Sequence, residues 1–164
     1  MTTPISKRWL AMRLLQESLT SLRLRTESIR TILLLLEPEG DYFYSTGISE
    51  SNNQSSEDIV QDWKRQKMGL FYSSRMRVML KHGYATFKTV DIPLDCPLKG
   101  VYEESGIHTS IAKSLYTNMG NTFYLSICFP DRHLVSSSVL REGIRKMDNL
   151  FLSLLPIVQK EYQM

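Results

Sequence analysis

The chain has 164 residues, 42% of them hydrophobic and 23% charged, with a formal net charge of +3. Those proportions exclude a disordered or fibrous chain and suffice for one domain, residues 1–164, with a proper core. So small a charge argues against a dedicated nucleic-acid binder, and the longest unbroken apolar run, Ile32–Leu36, falls far short of the ~20 residues of a membrane span.

From the N-terminus, residues 1–5 read as a tail and Ser6 as a helix cap. Leu10, Leu14, Leu15, Leu19 and Leu22 recur at the spacing of one buried helical face, with Arg13, Gln16, Glu17 and Thr20 opposite. This helix ends between Ser21 and Ser28, where Arg23 and Arg25 suit the negative end of its dipole. It reads as amphipathic and not as a signal sequence. Thr31–Leu36 is a short apolar run stopped by Glu37-Pro38-Glu39-Gly40, which predicts a buried strand and a turn. Asp41–Thr46 supplies the second strand of that hairpin, and Gly47–Ser56 is polar enough for an exposed loop.

A helix is expected from Ser55 or Ser56, with Glu57 and Asp58 in its first turn. Its apolar residues are Ile59, Val60, Trp63, Met68, Leu70, Phe71, Met76, Met79 and Leu80, and Gly69 or Ser73-Ser74 divides it into a pair. Gly83 ends it. Tyr84–Ile92 alternates as a strand, and Pro93–Gly106 is either a loop or a short helix around Leu98–Glu104. Ser110–Pro130 is the most strand-rich stretch, two β-branched and aromatic runs hinged at Asn118–Asn121, where Gly and Asn tolerate positive φ. Ile111, Leu115, Leu125 and Ile127 are its expected core residues. A last helix starts at Ser136–Ser138 and carries Leu140, Ile144, Met147, Leu150, Phe151, Leu154 and Leu155 on one face, with Pro156 as a kink or an end.

The fold class is therefore α+β. About five antiparallel strands are packed by N- and C-terminal helices with a middle helix or helix pair, in the order α-β-β-α-β-β-β-α.

Little in the sequence signals catalysis, and no enzymatic activity or cofactor is expected. His82, His108 and His133 lack metal-ligand spacing with cysteines or carboxylates, and Cys96 and Cys128 form no C-x-x-C, which suits free thiols in a reducing cytoplasm. Ser110, His108 and Asp131 are the residue types of a hydrolytic triad, but no nucleophile elbow surrounds any serine. Phosphate-binding glycine motifs are missing too. Lys64, Arg65, Lys67, Arg75, Arg77, Lys81 and Lys88, interleaved with aromatics, would form the surface of a nucleic-acid-binding alternative, but they read better as the solvated face of the middle helix.

Tyr42, Tyr44, Trp63, Phe71, Tyr84, Phe87, Tyr116 and Phe123 are candidates to line a ligand pocket, because such pockets are mostly apolar with a few placed polar groups. The two terminal helices carry more apolar surface than one sheet face needs. Leu15, Leu19, Met147, Leu150, Phe151 and Leu154 are therefore candidates for a subunit interface.

The element order, with Gly106-Ile107-His108-Thr109-Ser110-Ile111 leading into the Asn118–Gly120 hairpin and a long final helix, resembles GAF-like, roadblock-like and profilin-like domains. The resemblance spans nearly the whole chain. It implies a regulatory or sensory domain that binds a small apolar signal or a protein partner, as a homodimer or a subunit of a complex. A roadblock-like assembly module without ligand is the alternative it implies. The chain departs from the chromophore-carrying members in having no chromophore-cysteine motif.

Overall fold

Helix α1 (Lys7–Thr26) opens the computed structural model of the chain, which describes residues 7–51, 65–118, 120–130 and 137–162. Its end is a Schellman motif. Glu27 takes a left-handed φ of 54°, the Ser28 N–H donates to the Arg23 carbonyl at 3.1 Å, and the Glu27 N–H donates to Leu24 at 3.4 Å. The Thr26 hydroxyl secures the last turn through the Leu22 carbonyl at 2.7 Å.

Strands β1 (Arg30–Leu36), β2 (Tyr42–Glu50), β3 (Arg65–Lys67), β4 (Tyr84–Lys88), β5 (Ile107–Asn118) and β6 (Asn121–Pro130) form one sheet in the order β3-β2-β1-β6-β5-β4. Every neighbouring pair is antiparallel. The β1–β2 turn uses Gly40 at φ +78° and the β5–β6 turn uses Gly120 at φ +86°, where a Cβ would also press on Pro38 at 2.9 Å. Both hairpins stand where the turn residues place them.

Alternation along the strands sorts the core into two layers. Leu33, Leu35, Phe123, Leu125, Ile127 and Phe129 face α1 and α4 (Ser137–Tyr162), meeting Leu15, Leu19, Leu22, Met147 and Phe151. Leu34, Leu36, Phe87, Ala112, Tyr124 and Cys128 point the other way, toward α2 (Leu70–His82) and α3 (Pro97–Glu104), meeting Met76, Met79 and Tyr102. Of the expected hairpin core, Leu125 and Ile127 are fully buried, while Ile111 and Leu115 are partly buried against the first layer.

Several local expectations are corrected. Gly47–Glu50, expected in a loop, continues β2, because these residues pair with Arg30–Leu33. Gln16, expected on the solvent side of α1, is buried and bonds both the N–H and the carbonyl of Ile48. Arg65–Lys67, expected within a helix, is a short edge strand on Tyr42–Tyr44, and the helix starts at Leu70 after Gly69. The expected start of that helix, Ser55–Lys64 with Trp63, lies outside the described residues. The strand from Tyr84 stops at Lys88 and becomes a 3-10 turn (Thr89–Asp91), with the Thr89 hydroxyl held by the Ile107 carbonyl at 2.6 Å. The segment left open between Pro93 and Gly106 contains α3, started by Pro97, whose missing N–H costs a helix nothing at its first position. Pro156 lies inside α4, which runs on to Tyr162. Among the described residues, no helix is long and apolar enough to cross a membrane.

Candidate functional site

The second layer is not filled. A cavity of about 630 Å³ lies between the sheet and the α2–α3 side. From β1 it is lined by Arg30, Ile32 and Leu34, from β2 by Phe43, Ser45 and Ile48, and from β6 by Ser126. The β3–α2 connection contributes Gln66, Lys67, Met68, Gly69 and Tyr72, and Cys96, Leu98, Val101 and Tyr102 close the α3 side.

This wall depends on a bulge in β2. Leu33 pairs with Gly47 and Leu34 with Ser45, leaving Thr46 unmatched, with its hydroxyl on the Leu33 carbonyl at 2.9 Å. An extra residue in one strand shifts its alternation by one. Phe43, Ser45, Ile48 and Glu50 therefore share the cavity side, whereas strict alternation would have turned Ile48 and Glu50 toward α1. Space arises because small residues occupy this face: Ser45 on β2, Ser126 on β6, and Ser110 and Ala112 on β5.

The walls are apolar and the floor is polar. Arg30 and Glu50, directly paired across β1–β2, stand 2.7 Å apart with side-chain exposures of 16% and 14%. Among the described residues the Arg30 Nε–H makes no hydrogen bond of good geometry despite that distance, so the contact is an ion pair and not a directed bond. Below, the phenols of Tyr72, Tyr102 and Tyr124 gather with Ser110, Ser126 and the Cys128 thiol. The Ser110 hydroxyl points to Cys128 Sγ at 3.7 Å. Burial pushes the Tyr72 phenol up to about 12, raises Tyr102 and Tyr124 well above the ordinary tyrosine range, and raises the Cys128 thiol. Below the Arg30–Glu50 pair the floor is thus an array of neutral hydroxyls and one neutral thiol at physiological pH.

These phenols make alkaline stability testable. A group held protonated in the fold contributes stability that is fully present below the unfolded tyrosine value of about 10 and is lost as pH rises through the folded one. For Tyr72 that window runs from about 10 to about 12. Phenolate absorbance from the buried set, Tyr72, Tyr102 and Tyr124, is expected to appear late, together with loss of near-ultraviolet circular dichroism. Smooth ionisation of every tyrosine near pH 10 in a folded protein would contradict the buried floor.

The residues expected to line a pocket fall elsewhere. Tyr42 lies under the Arg65 guanidinium at 3.6 Å, and the Tyr44 hydroxyl donates to Glu37 at 3.1 Å. Tyr84 is 58% exposed on the edge strand, while Tyr116 and Phe123 belong to the layer facing α1 and α4. Phe87 does stand behind the cavity, stacked on Tyr102 at 6.0 Å and edge-on to Tyr72 at 5.7 Å, with Phe71 edge-on to Phe87. Trp63 is outside the described residues. Aromatic content does not tell which face a strand position takes, and the face decides what lines the cavity. The missed signal is the small polar residue Ser126 within an otherwise apolar strand.

The candidate interface residues are also placed otherwise. Leu15, Leu19, Met147 and Phe151 are buried within the chain itself, and Leu150 and Leu154 pack against the same layer. One sheet face hides most of both stripes, but Leu10 and Leu14, expected on the buried face of α1, are close to half exposed because they lie on the side of the helix turned away from the sheet. Of the basic cluster, Arg65 holds Glu37 through two hydrogen bonds at 2.6 and 2.9 Å, and Arg77 lies 3.5 Å from Asp41. Ser110 faces the cavity floor, while His108 engages the Thr109 hydroxyl at 2.8 Å and Asp131 is outside the described residues. Among the described residues, no three His, Cys, Asp or Glu side chains gather to hold a metal.

No protein-family model matches the chain, and no curated protein sequence does. Solved structures do. The GAF domain of a two-component sensor histidine kinase from Bacillus halodurans superposes with a TM-score of 0.65 at 14% identity, over 93% of this chain and 97% of that one. A red/green cyanobacteriochrome in its red light-absorbing state gives 0.64 at 11%, over 94% and 98%. The phycoerythrobilin-bound GAF domain of a cyanobacterial phytochrome gives 0.61 at 10%, over 95% and 90%. The likeness leaves no need for the roadblock-like alternative. A central antiparallel sheet, helices on both faces and near-complete mutual coverage settle the architecture: this chain has the fold of a GAF domain.

Proposed function

We propose that this chain is a non-enzymatic sensory or regulatory domain that binds a small, mostly apolar molecule between the sheet and α2–α3. The observation that carries this reading is the cavity of about 630 Å³ with apolar walls and a polar floor, within the size range of small-ligand sites. Likeness of fold to a sensor-kinase domain and to a bilin-bound domain supports it. The reading extends to a homodimer or a protein partner, reached through the outer surfaces of the terminal helices. Exposed apolar residues on these two helices include Leu10, Leu14 and Leu24 on α1 and Val139 and Leu152 on α4. It places the protein in the cytoplasm, where Cys96 and Cys128 remain thiols.

Native mass spectrometry of freshly purified protein tests both parts. A retained small molecule is expected, and Ile48→Trp, which fills the cavity from the β2 wall, is expected to lower the retained fraction about tenfold. Ligand at a hundredfold excess over its Kd should also stabilise the domain by about 2.7 kcal/mol. A bare monomer that no member of a metabolite collection stabilises would end this reading.

A further inference from the structure

The Tyr124 phenol is fully buried, and no hydrogen bond of good geometry reaches its oxygen among the described residues; the nearby Tyr72 hydroxyl engages it only loosely. Native interiors keep few such unpaired groups, and each calls for an explanation. Its surroundings supply one. Tyr72 and Ser126 line the cavity directly above it. The Arg30 cation in the same wall is already neutralised by Glu50 at 2.7 Å, so the deep end offers a ligand no uncompensated charge. Lys67 carries its charge at the exposed rim.

A hydroxyl chain open at one end is completed by an acceptor. When an acceptor oxygen enters the cavity, the Tyr72 hydroxyl can donate to it and accept in turn from Tyr124, which pairs the orphan. Resting on the ligand-binding reading above, we infer that the ligand is an uncharged, mostly apolar molecule whose carbonyl or ether oxygen seats against the Tyr72 hydroxyl, with Tyr124 behind it. A carboxylate there would have to compete with Glu50 for Arg30 and lose its hydration in an apolar cavity, and an ammonium would meet Arg30 itself.

The test is a matched series titrated calorimetrically into the intact protein: benzophenone, diphenylmethane, diphenylacetate and benzhydrylamine, which share one shape and differ in the central group. Benzophenone is expected to bind about five- to tenfold more tightly than diphenylmethane, the factor for one neutral hydrogen bond, and both charged analogues more weakly than benzophenone. Tyr72→Phe should erase the preference for the ketone over diphenylmethane, with far-ultraviolet circular dichroism and a cooperative melt showing that the variant is folded. Tyr124→Phe should leave the unliganded melting temperature equal or higher, since it removes a buried hydroxyl that makes no well-formed hydrogen bond, yet weaken benzophenone. Equal affinity for ketone and hydrocarbon, or tightest binding of diphenylacetate, overturns the inference while leaving the cavity a binding site. Binding of none of the four overturns the ligand-binding reading itself.

Discussion

Phe151→Ala is expected to destabilise the domain by about 3–5 kcal/mol, the range for deleting a buried aromatic ring from a core that can only partly collapse. The ring is fully buried on α4 and tilts against Phe123 of β6 with centroids 4.7 Å apart, joining the last helix to the centre of the sheet. Leu15, Leu19 and Met147 belong to the same layer, so the void would open where α1, α4 and the sheet meet. For a domain of this size, a fall in melting temperature of about 10 °C or more follows. The neighbouring Leu152→Ala, on the exposed side of the same helix, should change stability by less than about 0.5 kcal/mol. Chemical denaturation of the two variants checks the contrast. Equal effects would show that α4 is not seated as described.

Arg30→Ala is expected to cost about 2–3 kcal/mol, and for a different reason. It leaves the Glu50 carboxylate, only 14% exposed, without its partner 2.7 Å away, and an unpaired charge is penalised more heavily than the pair itself contributes. This is less than the ~3–5 kcal/mol of breaking a fully buried pair, because neither side chain is wholly removed from solvent. Arg30→Met combined with Glu50→Leu should recover most of the loss, since no charge is then left behind. Urea denaturation of the single and double variants separates these outcomes, and a double variant as unstable as the sum of its parts would refute the assignment.

How far the sequence alone leads depends on the length scale of each signal. Both terminal helices, the Pro38–Gly40 turn and the Asn118–Asn121 hairpin are set by residues close in sequence, and they stand where their periodicity and turn chemistry place them. Features decided by distant partners were not legible. Arg65–Lys67 becomes a strand only because Tyr42–Tyr44 offers an edge, and Gln16 is buried only because the Ile48 backbone needs both ends of an amide. The cavity suffered most. Aromatic content pointed to the strands in general, but which aromatic faces which layer turns on strand parity and on one unmatched residue at Thr46.

That unmatched residue has a consequence for how the domain can change. It divides β2 into two half-strands out of phase with each other, so the wall around Phe43 and Ser45 and the wall around Ile48 and Glu50 answer to separate registers. Side chains in one half can be exchanged without retuning the other. A gain or loss of one residue at the joint would instead swing the whole distal half, Glu50 included, toward α1. Variation in ligand preference is therefore accessible through substitution on either side of Thr46, while the length of the strand at that point is closed to it.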